Sequence, residues 1–133
     1  MMYVGDYLAG VEQTLQHCPG ITGLRVLASQ ASGPYNGLLR VRAAFWDESF
    51  LDIYEVVNTE LGYPIRIHYA YTYLDRDGQH VFRYDNAPHH PELLTHPHHR
   101  HGGPSERAVP AEQPSLNQVL AEITRLLAGE PNH

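Results

Sequence analysis

The stretch IRIHYAYTYLDRDGQHVFRYD, residues Ile65–Asp85, decides the fold. Ile65, Ile67, Tyr69, Tyr71 and Tyr73 alternate with Arg66, His68, Ala70, Thr72 and Leu74. A period of two residues is that of a strand with two unlike faces. DRDG, Asp75–Gly78, supplies the Asp-Gly step that a tight hairpin uses where φ must be positive. Gln79–Asp85 then reads as the return strand. The link between them is too short to hold a crossover helix, so the two strands run antiparallel.

The pattern continues upstream. LLRVRAAFW, Leu38–Trp46, points Leu39, Val41, Ala43 and Phe45 one way and Arg40 and Arg42 the other. DES, Asp47–Ser49, joins it to FLDIYEVV, Phe50–Val57, and ELGYP, Glu60–Pro64, turns the chain into Ile65. The acidic groups Asp47, Glu48, Asp52 and Glu55 read as solvated edge and turn residues. A short apolar run, Leu24–Ser29, precedes the turn chemistry of SGPYNG, Ser32–Gly37. Before these strands, Val4, Leu8, Val11 and Leu15 form one apolar helical stripe, which CPG at Cys18–Gly20 ends. Downstream of Asp85, Ser115 and Gln118 have capping-box spacing. Leu116, Val119, Leu120, Ile123, Leu126 and Leu127 form the apolar face of a last helix, which Gly129 and Pro131 stop.

These readings predict an α+β domain with an antiparallel meander of about five strands. The N-terminal and C-terminal helices are expected to pack on the tyrosine face. One domain is expected over residues 1–133: a helix at about 4–18, the sheet at about 22–85, a His/Pro-rich loop at about 86–114 and a helix at about 115–128. A hydrophobic content of 42% excludes a disordered chain. No apolar run approaches the roughly 20 residues that cross a bilayer, and MMYVGDYLAG lacks the pattern of a secretion signal. A single cysteine, Cys18, forms no internal disulfide and fits a reducing cytoplasm. The formal charge is −6, from nine arginines, no lysine and fifteen carboxylates. General attraction to a polyanion is therefore not expected, and local charge decides.

The strongest local feature is FRYDNAPHHPELLTHPHHRHG, Phe82–Gly102, which holds six of the ten histidines. Three readings apply. As a metal site, His96, His98, His99 and His101 lie close enough to gather on one divalent transition-metal ion. The spacing matches no compact zinc motif. As a metal-free site, RNA cleavage needs a base for the 2′-hydroxyl, an acid for the leaving oxygen and a cation for the phosphate. His89 and His90 follow a strand end and can supply acid and base. Arg83 or Arg100 can grip phosphate, and Asp85 can orient an imidazole. Tyr84, Asn86, Arg66 and His68 are further candidates for substrate contact. Third, the segment reads equally as a surface loop without chemistry. The tyrosine row Tyr69, Tyr71 and Tyr73, with Tyr54 and Tyr84, reads as a face packed under the helices rather than as a base-stacking surface.

FRYDNAPHHPEL followed by PHHRH, then a proline-bearing linker into a final helix, resembles the TumE family from about Leu38 onward. Those are small proteins described as toxins of bacterial and archaeal toxin–antitoxin modules. The resemblance implies a toxin with a cognate antitoxin that carries a helix-turn-helix part, and the single cysteine fits a cytoplasmic location. The motif positions are Arg83, Tyr84, Asp85, Asn86, His89, His90, His98 and His99. The resemblance brings no established catalytic mechanism. A ribonuclease that needs no cofactor leads. The alternatives are a metal-dependent hydrolase or nucleotide-modifying toxin, and a module that inhibits by association alone. Homo-oligomers stay open, and no membrane is involved.

Overall fold

A computed structural model describes residues 1–105 and 107–130. Helix α1 spans Val4–Gln16 and helix α2 spans Leu116–Leu127. Between them run β1 (Ile21–Ser32), β2 (Asn36–Phe45), β3 (Phe50–Asn58), β4 (Ile65–Leu74), β5 (His80–Asp85), β6 (His99–Gly102) and β7 (Arg107–Pro110). They form one antiparallel sheet in chain order, β1 to β7. The strand count is thus seven rather than about five. The two additional strands, β6 and β7, lie in the stretch expected to be a loop. Each has four residues, too few for alternation to be read from sequence. Pairing with β5 makes β6 a strand: Asp85 lies opposite His99 and Arg83 opposite His101.

The core lies between the sheet and the two helices. Val4, Leu8, Val11 and Leu15 of α1 are buried, as are Val119, Leu120 and Ile123 of α2. They meet Leu39, Val41, Leu51, Ile53, Tyr69, Tyr71, Tyr73 and Phe82 in one cluster. Tyr69, Tyr71 and Tyr73 are therefore on the covered face, with Tyr84 packed against it, whereas Tyr54, read from sequence as part of the same row, stands on the other face beside Arg40 because it alternates with the buried Ile53 and Glu55. At Gly37 a Cβ would come within 2.6 Å of Val4 Cγ2, so the bare glycine lets α1 approach β2. Helix α2 starts with both bonds of the capping box between Ser115 and Gln118, an arrangement worth about 1 kcal/mol. Pro131 lies outside the described residues. Among the described residues, no helix is long and apolar enough to cross a membrane.

Two sequence readings of this face change. Glu55 is not solvated: it is 1% exposed. Its carboxylate accepts hydrogen bonds from the hydroxyls of Tyr7 on α1 and Tyr71 on β4. It alternates with Leu51, Ile53 and Val57, so period two points it into the core. Arg66 does not share an outer face with His68. The β3–β4 register slips between Val56 and Val57, which pairs Arg66 with the buried Val57 and skips Ile67. Arg66 Nη1 donates to Tyr71 Oη at 2.7 Å and to the Pro114 carbonyl. It thereby ties the sheet to the start of α2. Ile65 and Ile67 are exposed in consequence.

Candidate active site on the open face of the sheet

No helix of the described residues covers the other face, and alternation decides what reaches it. In RYDN, Arg83 and Asp85 stand opposite Thr72 and Ala70 on the open side, whereas Tyr84 turns to the helices. In HHRH, His99 and His101 stand on the open side with Asp85 and Arg83, and Arg100 turns away. Each compact sequence motif is thus split between two surfaces.

Asp85 organises the open side. Its side chain is 6% exposed. Oδ1 accepts the Ala87 amide at 2.9 Å and lies 2.9 Å from His99 Nε2. Oδ2 accepts Arg83 Nε at 2.9 Å and lies 3.7 Å from His101 Nε2. His99 is buried, and its Nδ1 lies 2.9 Å from the Pro97 carbonyl. Both ring nitrogens of His99 therefore face acceptors. A neutral imidazole donates to only one of them, whereas the cationic ring satisfies both. His90 enters from the β5–β6 connection. Its ring centroid is 4.9 Å from that of His99 and 5.7 Å from that of His101. Its Nδ1 lies 3.2 Å from Glu92 Oε1, which leaves Nε2 as the nitrogen not held by that contact. Arg83, Asp85, His90, His99 and His101 line a solvent-open pocket of about 380 Å3, with His89 at its wall.

The other sequence candidates go elsewhere. His89 is exposed and is not in the close trio. His68 and His96 are also exposed. His98 faces the core side: its ring stacks on Tyr69 at 5.8 Å, and its Nδ1 lies 2.8 Å from Tyr69 Oη. Burial pushes the Tyr69 hydroxyl up to about 12, so it remains the donor. Burial, helped by Arg66 and His99, lowers the His98 pKa and favours the neutral acceptor. Tyr84 Oη donates to Glu122 Oε1 at 2.7 Å, and Arg100 Nη2 donates to Glu122 Oε2 at 2.6 Å. Those two residues anchor α2. Asn86 accepts the Tyr69 amide at 3.0 Å and donates to the Ile67 carbonyl at 2.9 Å. It extends the β4–β5 ladder with a side chain in place of backbone. The histidines close enough to hold a metal ion differ correspondingly from those expected. His90, His99 and His101 bring one ligand atom each within 4.8 Å of one another, whereas His96 and His98 stand apart from them.

The open face also presents Arg40, Arg42, Asp52, Tyr54 and Thr72, which line a trough of about 470 Å3 with Arg83 at one side. The sequence reading gave Arg40, Arg42, Asp52 and Thr72 no part in a site, and it placed Tyr54 under the helices rather than on a base-stacking surface. Their signal was alternation: Arg40 and Arg42 fall on the polar face of their strand.

Fold and pocket together define a small α+β protein with a histidine-arginine site on a bare sheet. The chain matches the model of the family described as toxin TumE over residues 11–127. It belongs to that family, and so to the toxin components of toxin–antitoxin modules, whose implied partner is a cognate antitoxin. Neither the curated proteins nor the solved structures contain a match to it.

Proposed function

We propose that this toxin cleaves RNA in the cytoplasm, using His90 and His101 for proton transfer and Arg83 for the phosphate. One imidazole takes the 2′-hydroxyl proton as that oxygen attacks the phosphorus. The other, in its cationic form, gives a proton to the departing 5′ oxygen. The P–O5′ bond breaks, leaving a 2′,3′-cyclic phosphate and a 5′-hydroxyl. Arg83 offsets the charge that gathers on the phosphoryl oxygens. Asp85 acts as a positioning residue, since it holds both Arg83 and His99. The observation that carries the reading is the convergence of three histidines, an arginine and a buried carboxylate in one open pocket. Of His89 and His90, which the sequence offers as acid and base, this reading keeps His90 and takes His101 in place of His89.

The test is incubation of purified protein with RNA, with and without chelator. Cleavage is expected to survive chelation and to leave cyclic phosphate ends. His90→Ala combined with His101→Ala is expected to lower the rate by at least about 1,000-fold, since each proton transfer is worth about 100- to 10,000-fold. Undiminished cleavage and growth arrest in that variant would sink the assignment.

A second reading has one specific support. Three imidazoles within 4.8 Å suit a zinc ion that keeps a fourth position for water. The protein would then be a metal-dependent hydrolase or nucleotide-modifying toxin. Stoichiometric metal in tag-free protein, with activity lost to chelator, would favour it. The antitoxin is read as carrying a helix-turn-helix part, on the resemblance to the family alone.

A further inference from the structure

The open face holds more charge than the pocket uses. The register aligns Arg25, Arg42, Asp52, Thr72, Arg83 and His101 in one row across the sheet. Ala28, Arg40, Tyr54, Ala70, Asp85 and His99 form the next row. Four of nine arginines thus stand in these two rows, against only two of fifteen carboxylates. Both carboxylates are engaged by arginine: Asp52 by Arg42 at 2.8 and 3.1 Å, and Asp85 by Arg83 at 2.9 Å. A chain of net charge −6 therefore keeps one positive surface, and it is the surface that holds the pocket.

The trough and the pocket are continuous, because Arg83 lines both. The trough's 470 Å3 falls within the range of about 300–1,000 Å3 usual for small-ligand sites. One side carries Arg40, whose guanidinium lies 4.4 Å from the centroid of the Tyr54 ring. Arg40 and Arg83 are three strands apart, about 14 Å at the usual strand spacing. Tyr54 is half-buried and lies beside the Thr72 hydroxyl and the Arg42–Asp52 pair. Arginine for the backbone and an aromatic ring for a base are the elements of single-strand binding. A duplex keeps its base faces stacked inside and has no use for such a ring.

We propose that the trough between Arg40 and Arg83 binds the segment of single-stranded RNA next to the phosphate that is cut. Arg40 holds a backbone phosphate away from the scissile one. The guanidinium that lies over the Tyr54 ring moves off to that phosphate and gives up the ring face to the intervening base, and Thr72 with the Arg42–Asp52 pair meets the edge of the base. This assignment rests on the reading of the pocket as a ribonuclease site, and it adds the path of the substrate and the place where base preference arises.

The experiment measures binding and cutting separately. Protein carrying His90→Ala and His101→Ala is titrated onto a fluorescein-labelled single-stranded RNA of mixed sequence, and onto its duplex, from 50 to 200 mM KCl. Single-stranded RNA is expected to bind more tightly than duplex. Adding Arg40→Gln is expected to weaken binding about tenfold and to reduce the salt slope by about 0.7, the value for one phosphate contact on a single strand. Tyr54→Leu is expected to weaken it at least fivefold. Arg76→Gln, on the far hairpin and paired with Glu48, is expected to change nothing. Arg40 is exposed, and Arg40→Lys, which keeps the charge, is expected to retain most of the affinity. Duplex preference, no RNA binding, or unchanged affinity in both Arg40→Gln and Tyr54→Leu would overturn the proposal. If binding behaves as expected but the unaltered protein cuts no RNA, the trough stands and the ribonuclease reading fails. If it cuts and both variants cut with unchanged KM and base preference, the trough fails alone.

Discussion

The two faces of this sheet share strands, register and neighbours, yet they do opposite work. The helix-covered face buries tyrosines and satisfies each polar end locally. Glu55 takes two tyrosine hydroxyls, and Glu122 takes Tyr84 and Arg100. The bare face gathers arginines and histidines around Asp85, where the histidine rings stand edge to face about a pocket. The difference teaches that polar residues next to each other in sequence belong to different tasks. Arg83 and Tyr84 are neighbours, but one lines the open pocket and the other holds a helix.

Substitutions should respect that division. The largest effect is expected at Glu55. Glu55→Ala strands the part-buried hydroxyl of Tyr7 and the buried hydroxyl of Tyr71, at a cost of about 1–3 kcal/mol each. Urea unfolding checks this, and RNA cleavage per folded molecule should stay unchanged. Asp85→Asn tests a place where the open face is itself buried. It should cost about 1–3 kcal/mol in stability and, by loosening His99 and Arg83, slow cleavage about 100-fold. A loss of stability without loss of activity there would dissolve the distinction between the faces. Tyr84→Phe should cost about 1 kcal/mol by thermal unfolding, with KM and kcat unmoved. That outcome would place Tyr84 on the structural side despite its seat in RYDN.

The smallest effect is one of pH. Burial, Arg66 and His99 lower the His98 pKa in the folded protein, so the unfolded chain binds that proton more readily. Stability should therefore fall as pH drops below about 6.5. His98→Asn should lose less stability than the parent between about pH 7.5 and 5.5, measured by chemical denaturation at each pH.

Much of the covered face was legible, because long amphipathic segments carry strong periodic signals. The α1 stripe, the α2 capping box and the β4 tyrosines all stand where the pattern puts them; Tyr54, one position out of phase with them, does not. Glu55 was legible too, since it alternates with Leu51 and Ile53; reading its charge instead of its position hid it. Arg66 was not, because a register slip at Ile67 is set by pairing with β3 and leaves no local mark. The same reason hid β6. Nothing within HRHG demands a strand; Arg83 and Asp85 opposite it do. The candidate site was therefore visible as a segment, with Arg83, Asp85 and His90 among its members. The choice of His99 and His101 over His96 and His98 depended on a partner strand remote in sequence.

The β5–β6 pairing has a consequence in time. Arg83 and Asp85 are made first, and His99 and His101 follow about one to three seconds later at ordinary rates of synthesis. Strand β6 is then gripped from behind through Arg100 by Glu122 of α2, which is made later still. A nascent chain that ends before β6 therefore lacks His99 and His101 of the residues that line the pocket.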